Sequence, residues 1–351
     1  MKLNFSIRNQ IILLLTCITW ILGGCKEKDA GFIERKFGSF PQEVNAVSQQ
    51  ISLTNCPSIS YPSVIVKCDT LLILLDNRAG SGKYVHLFST NDYRYLYSLL
   101  KIGKGPNEYT NVRDLQIVGD TLVITSDNGE YLFSPLHELS DSTVFRTIKL
   151  SNDGGLTSNG YFYNSRMYSE SMSGKPAARI IEIDKSGEIT ASFGSLKKGE
   201  EPSPAAYSAY ISLFGGNGKT LVAALLQGDV LEVYDLDDHS QLNIVGPKGY
   251  PQFQDYKGFG INVGWRGYQG VDVTSEYIYA IYDGSHSQES LEYESAAGKV
   301  IRVFDLKGKP QLLIHLNRRA SDLYVDEEEG KIYLTDPDSD EFLFTIDIPE
   351  I

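Results

Sequence analysis

One short pattern returns six times along this chain: an apolar run, a polar turn, then a second apolar run that often closes near an Asp. The second runs are YVHLF, EYLF, RIIEI, LEVY, IRVF and FLFTI, ending at Phe88, Phe133, Ile183, Tyr234, Phe304 and Ile346, so their spacings are 45, 50, 51, 70 and 42 residues. The partner runs lie just upstream: LLILLD (71–76), TLVITSD (121–127), RMYSESM (166–172), TLVAALL (220–226), YIYAIYD (277–283) and KIYLTD (331–336). A unit of about 50 residues built from short strands cannot bury its apolar faces alone and must pack on its neighbours. The period therefore predicts an all-β fold, a six-bladed β-propeller.

Each unit is expected to hold four antiparallel strands running outward from a central channel. The first reads SVIVKCD, LLILLDN, YVHLFS and YLYSLLKIG, and the second VRDLQIVGD, TLVITSD, EYLFSP and VFRTIKL. Val, Ile, Tyr and Phe dominate these runs, as half-buried strands require. Asp127-Asn128-Gly129, Gly216-Asn217-Gly218 and Lys307-Gly308 supply hairpin turn residues. The sixth unit offers three strand runs, LYVDEE, KIYLTD and FLFTIDI, before Ile351. The stretch Val47–Leu53 (VSQQISL) is therefore expected to complete the last blade and leave no open edge. This places the propeller at residues 45–351.

The N-terminus reads as an address. Lys2 and Arg8 precede the apolar run 11–22, which is short for a membrane span and fits a signal segment. Leu22-Gly23-Gly24-Cys25 resembles the bacterial lipobox, so residues 1–24 are expected to be cleaved and Cys25 to carry lipid. Residues 25–44 then form a polar tether, whose Lys26-Glu27-Lys28-Asp29 resembles the charged export signal of surface lipoproteins. An outer-membrane lipoprotein follows, on the periplasmic or the cell-surface side. Losing Lys2 and Arg8 takes the formal charge from −13 to −15, and an acidic chain without a basic stripe argues against nucleic acid. Of four Cys, Cys17 leaves with the signal and Cys25 takes lipid. Cys56 and Cys68 remain, an even pair expected to form a disulfide in an exported chain.

Gly103-Lys104-Gly105-Pro106-Asn107-Glu108-Tyr109, the stretch Tyr-Ile-Tyr-Ala-Ile-Tyr-Asp-Gly (277–284) and Val-Phe-Asp-Leu-Lys-Gly-Lys-Pro (303–310) carry a family likeness. Together they resemble the TolB-like six-bladed propeller lipoproteins of gut-type Gram-negative bacteria, over nearly the whole mature chain. The first motif is also similar to NHL-type propeller repeats. The resemblance implies a propeller on a lipid anchor. It brings no settled activity and no catalytic residues.

In a propeller the ligand face is built from loops that join one blade's outer strand to the next inner strand, together with the hairpins between middle strands. Here those are Gly103–Asn111, Ser195–Tyr210, Gly246–Tyr268 and Asp283–Lys299. The third is the richest, with Tyr250, Phe253, Tyr256, Phe259, Trp265 and Tyr268 beside Lys257 and Arg266. Long loops in a compact domain tend to be functional, and such rings stack on sugars or clasp peptides. The competing reading is that they fasten the loop to the ring. In Gly103–Asn111, Tyr109 is expected to pack between blades, with Lys104, Glu108 and Arg113 toward the channel. Lys104, Arg113, Tyr256, Trp265, Arg266 and Tyr268 are thus the candidate ligand residues.

Five scattered His show no metal-ligand spacing, and no cofactor is expected. The acidic stretch 326–330 reads as a solvated turn, with a calcium site as the lesser reading. Gly-x-Ser-x-Gly, the sialidase-type Asp box and the per-blade Trp of quinoprotein propellers are missing. A monomeric, non-catalytic module that binds a glycan, a peptide or an envelope protein follows. The alternative is a glycan hydrolase or lyase with carboxylates such as Glu108, Asp255 and Asp283 on the channel-mouth loops. A purely structural subunit of an envelope complex is the third reading.

Overall fold

The computed structural model describes residues 31–126, 130–149, 156–171, 176–288 and 298–351. The signal segment, Cys25, the Lys26–Asp29 stretch, the Asp127-Asn128-Gly129 turn and residues 289–297 of the fourth loop lie outside the described residues.

Six antiparallel sheets form the blades. Blade one is Pro62–Cys68, Leu71–Asp76, Lys83–Ser89 and Tyr95–Ile102; blade two is Val112–Val118, Thr121–Ser126, Glu130–Pro135 and Arg146–Lys149. Blade three is Leu156–Tyr163, Arg166–Ser171, Ile180–Ile183 and Ile189–Phe193; blade four is Ser212–Gly216, Thr220–Leu225, Val230–Asp235 and Gln241–Val245. Blade five is Tyr268–Val273, Tyr277–Tyr282, Val300–Asp305 and Pro310–Leu316, and blade six holds Asp322–Asp326, Lys331–Thr335 and Leu343–Asp347. The first strand of each blade lies beside the first strand of the next, closing a ring around a channel. Each second strand is sandwiched between neighbouring blades, so Leu71–Asp76 and Thr220–Leu225 are buried at every position after the first. First strands keep one face to the channel and alternate, as Pro62–Cys68 does.

The ring closes as the strand count requires. Gln49–Gln50 pairs antiparallel with Leu343–Asp347, and the Ile51 N–H donates to the Leu343 carbonyl at 2.9 Å. The folded unit, in contrast, begins at Phe32 rather than at residue 45. Phe32–Lys36 adds a parallel fifth strand to blade four, and Glu43–Ala46 does the same for blade five. Phe37 and Phe40 between them pack on Phe304 with ring centroids 5.1 and 5.3 Å away. These two strands cover edges that would otherwise present unpaired backbone groups.

Apolar burial sits in the seams between blades. Leu and Val fill the seam of blades one and two, and Tyr161, Tyr168, Phe193 and Tyr234 fill that of three and four. Polar side chains then tie adjacent inner strands where backbone bonds cannot reach. Asp322 accepts the Ile65 N–H at 2.9 Å, Asp272 accepts that of Val325 at 2.7 Å, and Gln116 brackets the Phe162 backbone at 2.8 and 3.0 Å. The acidic stretch 326–330 is part of this system, not merely solvated. Lys67 of blade one reaches Asp326 at 2.5 Å and Glu329 at 3.1 Å, bridging blades six and one.

Cys56 and Cys68 are free thiols, not the expected disulfide. Cys56 packs against the cluster of Ile51, Leu72, Phe88 and Tyr333, whereas Cys68 ends its strand on the channel wall. Burial pushes the Cys56 thiol up to about 11, so it is a poor nucleophile.

Candidate functional site: the upper face of the propeller

The end of the ring where first strands begin and second strands finish is the upper face. There, residues from blades one, four, five and six line a mouth of about 340 Å³. Its charged members are Arg266 and Arg319 with Asp283, Asp336 and Asp338. Arg266 Nη1 donates to Ser285 Oγ at 2.9 Å, and Arg319 Nη1 pairs with Asp338 at 3.2 Å. Asp283 accepts from Gln269 Nε2 at 2.8 Å and from the Ser285 hydroxyl, which preorganises the carboxylate at the rim. Burial raises the Asp336 carboxyl above its ordinary value, although Arg318 and Arg319 oppose this. Two forked guanidiniums and a set of carboxylates in one mouth can pair with both ends of a zwitterionic or peptide-like group.

Beside the mouth, the 246–268 loop is an ordered platform. Phe253–Tyr256 pairs with Phe259–Asn262 as a two-stranded hairpin, with Phe253 opposite Asn262, Gln254 opposite Ile261 and Tyr256 opposite Phe259. The hairpin rests on a short helix, Pro204–Ala209, capped by the Ser203 hydroxyl, which accepts the Ala206 N–H. Gly260 makes this contact possible, because a Cβ there would collide with the Ala205 carbonyl oxygen and the Ala209 side chain. Its N–H donates to Ser208 Oγ at 2.7 Å, which locks the hairpin to the helix. With that side docked, Tyr256, Phe259 and Ile261 project outward at 61, 62 and 51% exposure.

The candidate ligand residues separate on inspection of their contacts. Tyr256 is presented to solvent and Arg266 to the mouth. Trp265 is half-buried, with the Lys248 ammonium 3.3 Å from its ring centroid and His286 edge-on at 5.0 Å. Tyr268, expected to touch ligand, is a core residue at 1% exposure. Its hydroxyl donates to Asp229 at 3.1 Å within a network completed by Arg302. Tyr250 is likewise a fastener, its hydroxyl donating to Glu34 of the N-terminal strand at 2.8 Å. Lys104 and Glu108 do not face the channel. Glu108–Tyr109 forms a parallel fifth strand on blade one, and Glu108 binds Lys101 at 2.7 Å and the Gly105 N–H at 2.9 Å. Arg113 opens the inner strand of blade two and is exposed. The structure does not bring Glu108, Asp255 and Asp283 together. Glu108 lies in the cleft by Lys104, Asp283 in the mouth, and Asp255 caps the hairpin turn by accepting the Gly258 N–H.

Sequence reading passed over two features. Asp114, Asp272 and Asp322, one from each of three first strands, face a lower channel of about 870 Å³. Burial raises all three, Asp114 to about 7, and Asp322 is raised further by its two acidic neighbours. The recurrence of Asp in the first strands was the available signal. The second feature is a buried Asp-His-Ser grouping. His86 Nδ1 lies 2.7 Å from Ser98 Oγ, and Nε2 lies 4.0 Å from Asp76. Burial lowers His86 to about 4, and its ring, Ser98 and Asp76 are shut away from solvent. Asp76 meanwhile accepts N–H groups of Ser60, Tyr61, Arg78 and Gly80, which makes the group an anchor for the 58–61 segment.

Comparison with known proteins agrees with this architecture. The family described as TolB-like 6-blade propeller-like matches residues 39–328. A solved protein of Bacteroides fragilis assigned as exported aligns at TM-score 0.59 and 11% identity, over 90% of this chain and 98% of its own. U3-55K aligns at TM-score 0.52 and 10% identity, over 83% of this chain and 97% of its own. The RRP9 WD40 repeats align at TM-score 0.52 and 10% identity, over 86% of this chain and 99% of their own. At such identities these structures share the fold alone. None of the curated proteins compared matches the sequence.

Proposed function

This chain belongs to the TolB-like six-bladed propeller family, and from that premise we propose that it is a non-catalytic binding module that takes a peptide or protein segment on its upper face. One observation carries the reading: Tyr256, Phe259 and Ile261 stand exposed on a hairpin that is itself locked to the ring. Exposed apolar groups on a rigid support mark interaction surfaces, because binding them removes apolar area from water with little ordering cost. Tyr256 and Phe259 stand opposite each other with Ile261 beside them, and an aliphatic side chain next to the ring pair favours apolar side chains of a peptide over sugar faces. The mouth formed by Arg266, Asp283 and Arg319 adds polar pairs beside that patch and sets orientation. Lipid on Cys25 would hold the module at the outer membrane of the cell envelope.

The test is a display library of random peptides panned on residues 26–351. Consensus peptides should bind the native protein and lose at least tenfold in affinity with Tyr256→Ser/Phe259→Ser. Trp265 reports the event, since Trp20 departs with the signal and no other Trp remains. Absence of any enriched peptide, together with glycan-array binding that survives the double variant, would move the function to a glycan and away from the hairpin. Palmitate labelling that persists in Cys25→Ser would refute the anchor.

A further inference from the structure

Blades two and three pack on each other through Val123, Tyr131, Phe162 and Met167, and beside this contact their seam opens toward the lower face. On the lower face a cleft of about 490 Å³ is walled by Val118, Val123, Phe133 and Ile148 of blade two and by Phe162 and Met167 of blade three. The walls are rigid. Phe162 sits edge-on to Phe133 at 5.0 Å and tilted on Tyr131 at 5.1 Å. Tyr131 also lines the cleft, is fully buried, and its hydroxyl has no hydrogen-bond partner. Nearly all buried hydroxyls are paired, and leaving one unpaired costs about 1–3 kcal/mol. The rim is polar, with Asn164, Ser165, Asp184 and Lys185. Asp184 is held in its own turn, accepting from the N–H and hydroxyl of Ser186, and the exposed Lys185 is the cation among the described residues at the entrance.

We infer that this cleft is a second binding site, for a small flat aromatic molecule that offers an acceptor to Tyr131 and leaves an anionic group at Lys185. The volume lies in the range of small-molecule pockets, which are mostly apolar with a few placed polar groups. Flat rings stack or meet edge-on with Phe133 and Phe162 without forcing the blades apart. The site is on the opposite face from the hairpin and stands independently of the peptide reading.

The probe is 1-anilinonaphthalene-8-sulfonate, an aromatic molecule with one anionic group, titrated into residues 26–351 and followed by its own fluorescence. Saturable binding at one site per chain is expected. Ile148→Trp, on the outermost strand, should obstruct the cleft and weaken binding at least tenfold. Lys185→Glu at the rim, where folding is not at risk, should weaken it several-fold, as should Tyr131→Phe, which keeps the ring. Tyr256→Ser/Phe259→Ser should leave the affinity unchanged. Non-saturating fluorescence, or an affinity indifferent to both Ile148→Trp and Lys185→Glu in variants with native circular dichroism, overturns the site. Loss in the hairpin variant instead would assign the probe to the upper face. An unchanged affinity in Tyr131→Phe would overturn the acceptor assignment.

Discussion

Replacing Arg179 by Met tests how the seam between blades three and four is held. Arg179 is completely buried, and its guanidinium binds Glu232 at 2.9 Å, the Tyr210 carbonyl at 2.8 Å and Ser212 Oγ at 3.2 Å. Glu232 is equally buried and accepts the Tyr234 hydroxyl at 2.9 Å, while Glu170 sits on the Ser212 N–H at 3.0 Å. Met preserves length and apolar volume but removes the only positive charge that these contacts show facing Glu232. Removing one partner of a buried pair costs about 3–5 kcal/mol, because the other charge is left in a low-dielectric site. In urea the midpoint should fall on the order of 1 M, given slopes above the ~1–3 kcal/mol/M of small proteins. Arg179→Met/Glu232→Gln should recover about half of the loss, since the orphaned charge is gone. The assay is urea unfolding followed by far-UV circular dichroism on all four members of the cycle. A loss below about 1 kcal/mol in the single variant, or strictly additive losses in the double, would refute the account, since residues in one network couple.

Further outcomes follow from neighbouring observations. Burial raises Glu170 to about 8 in the folded protein, against the pull of Arg179, while the unfolded chain releases that proton near its ordinary value of about 4.3. The native state therefore holds more protons between these values, so stability should fall as pH rises from about 5 to 8, and Glu170→Gln should flatten that slope in urea midpoints measured across the range. Deleting residues 45–54 should abolish cooperative unfolding, because it removes the strand paired with Leu343–Asp347. Deleting residues 32–44 should lower the melting temperature yet leave a folded ring, because it strips only the fifth strands of blades four and five. Alkylation in denaturant without reductant should label both Cys56 and Cys68, and two unlabelled thiols by mass spectrometry would reinstate the disulfide.

Part of this protein was legible as one-dimensional pattern. Runs such as LLILLD and KIYLTD occupy second strands, buried on both faces, so the need to exclude water writes itself as continuous apolar sequence. Six such runs determined the blade number, and the missing twenty-fourth strand pointed to the stretch around Gln49–Gln50. The turn at Lys307-Gly308 was equally readable, since Gly308 takes a φ of +77°. The strap at Phe32–Lys36 was not, because a fifth strand pairs along one edge and stays exposed, so FIERK carries no period. Tyr256 and Tyr268 look alike in the loop, yet one stands in solvent and the other bonds a buried Asp229. Only the docking of Gly260 on the helix and the approach of Arg302 from another strand separate them. The same holds for the mouth, the three channel carboxylates and the cleft of Val123, Phe133 and Met167. Periodicity is a property of neighbours along the chain, whereas a site is a property of blades brought together by ring closure, and no local pattern encodes which side chains meet across a seam.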